Sequence, residues 1–109
     1  MSNAWSVYTT LPDKEAARRT ARILVDERLA ACANFFPIGS IYRWKGEVQS
    51  EREWALVIKT RDALYPRLEA RLRELHPYEV PAIVAYAIAA GLPDYLEWIE
   101  RETGAAEPA

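Results

Sequence analysis

Apolar and polar positions along this chain follow two periods, one near two residues and one near 3.6, and the switches between them mark its elements. Trp5 to Thr10 mixes aromatic and β-branched residues and stops at Leu11-Pro12-Asp13, which predicts a strand followed by a helix start. From Lys14 to about Ala31, Ala17, Ala21, Leu24 and Val25 share one helical face and Glu15, Arg18, Arg22 and Asp26 the other, with Asp13 as N-cap. The alanine-rich stripe is thin, so this helix is expected to lie close on a sheet. Cys32 to Trp44 reads as a long strand bent at Pro37 and Gly39. Lys45-Gly46-Glu47 offers a tight turn, and Trp54 to Thr60 alternates as the returning strand, with Gln49 to Glu53 either a loop or part of extended arms.

Leu64, Leu68, Leu72 and Leu75 then recur at helical spacing, starting from Asp62 as cap or Pro66 as first-turn proline, and Pro77 stops this second helix. Ile83 to Ala89 is nearly continuous apolar sequence and predicts a central strand. Pro93-Asp94 opens a last short helix that Gly104 closes. The order is β-α-β-β-α-β plus a C-terminal helix. That order predicts a ferredoxin-like α+β fold, an antiparallel sheet with both main helices on one face.

Composition narrows the function. At 109 residues and 12.4 kDa the chain fits a single domain over 1–109, with a core of about 5–103 and a tail from 104 to 109. Fourteen Lys and Arg against sixteen Asp and Glu give a net charge of −2, so no bulk positive field awaits a phosphate backbone and no nucleic-acid partner is expected. The apolar runs fall short of the roughly 20 residues of a membrane helix, so no membrane partner is expected either. The one cysteine, Cys32, has no intramolecular disulfide partner, and the N-terminus lacks a secretory pattern. An intracellular, cytoplasmic protein is the expectation.

Phosphate loops, paired cysteines and nucleophile elbows are missing from the sequence, which predicts a non-enzyme without an organic cofactor. The informative stretch is His76-Pro77-Tyr78-Glu79-Val80-Pro81. Two prolines stiffen a connector that holds an imidazole, a phenol and a carboxylate, either as a ligand or metal clamp or as a turn finishing the second helix. Cys32 reads as a buried small hydrophobe or as a soft ligand for copper or zinc. Lys59 reads as an anion partner or as a solvated strand end. Trp44 and Trp54, on either side of the hairpin turn, suggest a partner surface between subunits or an ordinary cross-strand pair.

Leu29-Ala30-Ala31-Cys32-Ala33-Asn34, Ser40-Ile41-Tyr42-Arg43-Trp44-Lys45-Gly46, Lys59-Thr60, His76 to Pro81 and Tyr95-Leu96-Glu97-Trp98-Ile99 together resemble the CutA family of divalent-cation tolerance proteins. The resemblance runs in order from the first strand to the last helix. It implies a homotrimer whose long hairpins pair across subunits, with a cleft lined by Cys32, Tyr42, Lys59, His76, Tyr78 and Glu79. It also implies weak binding of Cu2+ or another divalent cation through His76, Glu79 and Cys32. Some members carry a cysteine and a second histidine where Thr9 and Leu75 stand here, so the shell offered by one subunit is incomplete. The competing expectation is a regulator resembling the trimeric PII proteins, with a small anion or a protein segment held in the intersubunit cleft by Lys59, Tyr42 and Tyr78.

Overall fold

The computed structural model describes residues 3–104. Its elements are β1 (Ala4–Leu11), α1 (Lys14–Asp26), β2 (Cys32–Trp44), β3 (Glu47–Arg61), a 3-10 turn at Asp62–Leu64, α2 (Tyr65–Leu75), β4 (Ile83–Ala87) and α3 (Pro93–Glu102). The strands form one antiparallel sheet in the order β2-β3-β1-β4. One face packs on α1 and α2 around Val7, Leu11, Leu24, Leu56, Ile58, Leu68 and Leu72, all fully buried. The ferredoxin-like arrangement follows from the element order.

Two elements depart from the sequence pattern. The first helix ends at Asp26, not near Ala31, because Arg28 turns left-handed at φ 60° and the amides of Leu29 and Ala30 both donate to the carbonyl of Leu24. The segment after it is packed into the core, and the buried Thr60 hydroxyl donates to the Leu29 carbonyl at 2.8 Å. Tertiary burial thus overrides the helix preference of leucine and alanine. The apolar run at Ile83 to Ala89 is an edge strand of five residues, not a central one. Ile83 and Ala85 pack toward the helices, while Val84 and Tyr86 lie on the opposite face and are exposed.

The second helix uses both start signals: Asp62 opens the 3-10 turn and Pro66 stands in the first turn of α2. Gln49 to Glu53 belongs to the extended arm. Lys45 and Gly46 both have positive φ, 51° and 84°, as a two-residue type I′ hairpin turn requires. Since β1 stops at Leu11, opposite Trp54, the portions of β2 and β3 beyond that pair run on as a two-stranded ribbon. The molecule accordingly measures 48 × 27 × 21 Å. Finally, α3 buries Ile99 against Ala4 and Ala31.

Candidate functional site

The connector after α2 reaches the sheet where β1 ends and the ribbon begins. His76 leaves the helix in an extended conformation, and its Nε2 lies 2.8 Å from the Thr10 carbonyl and 3.1 Å from the Thr9 hydroxyl. Its Nδ1 accepts from the Tyr78 amide at 3.2 Å. A single neutral tautomer, protonated on Nε2, satisfies both bonds. Burial pulls the imidazole below its ordinary pKa, with the Thr10 carbonyl and the charge of Glu53 opposing. The ring is a strut between helix and strand.

Tyr78 packs beside it, ring centroids 4.9 Å apart, and its hydroxyl donates to Glu53 Oε2 at 2.7 Å. Burial, then that carboxylate, pushes the phenol well above its usual range, so it stays a donor. Tyr42 donates to Glu51 at 2.8 Å, and that bond likewise raises its phenol. At the ribbon end Lys45 Nζ stands 3.8 Å from Glu79 and 5.5 Å over the Trp44 ring. Between ribbon and connector lies a groove of about 770 Å³, whose walls include Ile41, Tyr42, Trp44, Glu53, Tyr78 and Glu79.

Within one chain the structure brings His76, Tyr78, Glu79 and Tyr42 to this region and leaves Cys32 and Lys59 out of it. Those two face each other across β2 and β3, level with Ser6, whereas His76 binds Thr10, four residues or about 13 Å further along β1. The Cys32 thiol instead lies 3.6 Å from the Tyr95 hydroxyl, whose pKa is pushed up to about 12 chiefly by that contact. A divalent metal does not fit this donor set in a single protomer. Both imidazole nitrogens are engaged, Glu79 faces Lys45, and among the described residues no three His, Cys, Asp or Glu side chains converge.

The two tryptophans do not face each other across the turn. Trp44 pairs with Glu47 at the ribbon end, whereas Trp54 sits opposite Pro37, 6.2 Å from Phe35 and beneath the Lys14 ammonium. Glu51 and Glu53 escaped the sequence reading. Their signal is the period-two row Glu47, Gln49, Glu51, Glu53, visible once the arm is known to be extended.

The sequence model of one family, described as the CutA1 divalent ion tolerance protein, matches residues 5–102, from the first strand through α3. The chain belongs to that family. It is similar to the divalent-cation tolerance protein CutA of Thermus thermophilus, 50% identical over 99 residues that cover 90% of this chain and 96% of the relative. The protein of the same name from Pyrococcus horikoshii is 42% identical over 97 residues, covering 89% and 95%. The solved Thermus thermophilus structure superposes with a TM-score of 0.90 at 48% identity, over 93% of this chain and 99% of that one. The CutA1 match spans both Thr9 and Tyr95, so the whole region described above falls inside the shared fold.

Proposed function

We propose that this CutA1 family member is a non-enzymatic homotrimer of the divalent-cation response, acting as a binding regulator through the groove between ribbon and connector. The ribbon carries this reading. A two-stranded ribbon is marginal alone in water, yet this one exposes Ile41 at 76% and Val48 at 61%. By the alternation of its strands, Glu47, Glu51 and Glu53 share one face with Tyr42 and Trp44, and Arg43 and Arg52 share the other with Ile41 and Val48. Faces of opposite charge on one element suit a head-to-tail contact between copies, the kind that closes into a ring. Trp44 belongs to that contact. Trp54 contributes indirectly, by stiffening the base of the ribbon against Phe35.

Divalent ions play a minor part at the level of one protomer. A copper ion at His76 must displace either the Tyr78 amide or the Thr10 carbonyl, so binding there is weak, with Glu79 as second donor once it leaves Lys45. The groove walls include the carboxylates of Glu53 and Glu79, and Lys45 at its outer end stands 3.8 Å from Glu79, which disfavours the small-anion version of the regulator. Light scattering tests the assembly: the expected mass is three times 12.4 kDa, and a stable monomer refutes it. Copper calorimetry on wild type and His76→Ala tests the metal part; tight binding that depends on His76 overturns the regulator.

A further inference from the structure

Charge on the ribbon is sorted by face and left without partners of opposite sign. Arg43 and Arg52 lie on one face, and among the described residues neither guanidinium has a hydrogen bond or an ion pair within its own copy. Arg52 stands opposite Gly39, so no cross-strand side chain lies beside it. The other face carries Glu53, which is 7% exposed. Its carboxylate accepts the Tyr78 hydroxyl at 2.7 Å, a neutral donor, and no Lys or Arg of the described residues forms an ion pair with it. A buried carboxylate is costly unless a cation joins it. The carboxylate without a cation and the cation without a carboxylate are thus consecutive residues on opposite sides of one ribbon.

We infer that Arg52 and Glu53 pair between copies: the guanidinium of Arg52 from one copy enters the inner end of the next copy's groove and closes on its Glu53 carboxylate. This rests on the head-to-tail ring proposed above and deepens it by naming the contact that sets its register. Rotation about a ring axis leaves the height of every atom along that axis unchanged. Consecutive Cα atoms are about 3.8 Å apart, so Arg52 and Glu53 are level to within that distance in every copy, whichever way the ribbon points. Where opposite faces of neighbouring ribbons meet, Arg52 therefore arrives level with the next copy's Glu53. Arginine suits the place, because its planar guanidinium bonds a carboxylate through two N–H groups and stacks on aromatic rings, and the groove offers Tyr42 and Tyr78 beside Glu53. The groove then belongs to two copies. Its inner end is filled by protein, and a ligand meets the outer end at Trp44, Glu79 and Val80.

The test is the dissociation of the assembled protein on serial dilution, followed by light scattering in a fixed urea concentration that brings the wild-type midpoint into the micromolar range. Arg52→Gln should raise that midpoint about thirtyfold: a charge-assisted bond is worth about tenfold, three per trimer make about a thousandfold in the equilibrium constant, and the midpoint concentration follows its square root. Glu53→Gln, which keeps an acceptor for the Tyr78 hydroxyl, should do the same. The two substitutions together should be no worse than either alone. Arg43→Gln is the comparator, and its effect should multiply with that of Glu53→Gln. Arg52 is exposed and its guanidinium has no polar partner in its own copy, so Arg52→Gln reports the contact even where Glu53→Gln fails to fold. A wild-type midpoint in Arg52→Gln, effects at Arg52 and Glu53 that multiply, or coupling of Glu53 to Arg43 instead overturns the inference. A wild-type protein that is monomeric at every concentration refutes the ring itself, so the two failures read differently.

Discussion

Removing the Tyr78 hydroxyl should destabilise the protein by more than a surface hydrogen bond would. In Tyr78→Phe the ring stays beside His76, and only the 2.7 Å bond to Glu53 Oε2 is lost. A hydrogen bond to a charged group contributes about 1.5–3 kcal/mol, and a buried acceptor left without its donor pushes the cost upward. Tyr78 is only half-buried, so water recovers part of the loss, and we expect about 2 kcal/mol. With a urea slope of about 2 kcal/mol/M this lowers the midpoint by about 1 M. Tryptophan fluorescence reads the transition, at one protein concentration throughout, because assembly adds to apparent stability. The partner is identified by a cycle with Glu53→Met, which keeps the side chain's length and removes its acceptor. A coupling of about 1 kcal/mol or more is expected. A midpoint within about 0.2 M of wild type, or strictly additive effects, would refute the claim that this bond secures the connector.

Three further outcomes follow from the geometry. The native His76 pKa is depressed below 6.5, so the unfolded chain binds the extra proton first; its contribution is full above about pH 6.5 and is lost as pH falls from there toward the native value. Thermal midpoints should therefore decline in that acid window and decline less in His76→Gln. Thr60→Val should cost about 1–3 kcal/mol by chemical unfolding, because it strands the Leu29 carbonyl inside the core, whereas Thr60→Ser keeps the donor and should cost less. Asp13→Ala removes the side-chain cap on the Ala16 amide and should cost about 1 kcal/mol by the same measurement.

Where local pattern and tertiary environment agree, the sequence is transparent. The bounds of β2, Cys32 to Trp44, can be read directly, and Pro37 and Gly39 leave its register with β3 unbroken. The end of α1 cannot, since Leu29, Ala30 and Ala31 favour a helix and only the buried Thr60 hydroxyl and the left-handed Arg28 show why it stops. Ile83 to Ala87 misleads in the opposite direction. Its apolar outer residues read as burial on both sides, yet Tyr86 is 61% exposed in the single chain. At the site, two prolines make the connector legible, but Glu53 becomes significant only once its register opposite Ile38 turns it toward Tyr78. Grouping Cys32 and Lys59 with His76 came from resemblance, and strand spacing separates them within one protomer.

Arg61 has a consequence for how the chain is wired. At one end of the sheet it stands opposite Ala4, and its guanidinium holds both the hydroxyl and the carbonyl of Thr103. The first strand and the last helical turn therefore meet at one residue, while the Lys45-Gly46 turn lies at the far tip of the ribbon. A gene re-cut at Gly46 and joined across that meeting point would preserve the ladder of every strand pair. Only the covalent link between β2 and β3 would go, leaving each copy to present two separate strand ends where it now presents a closed loop.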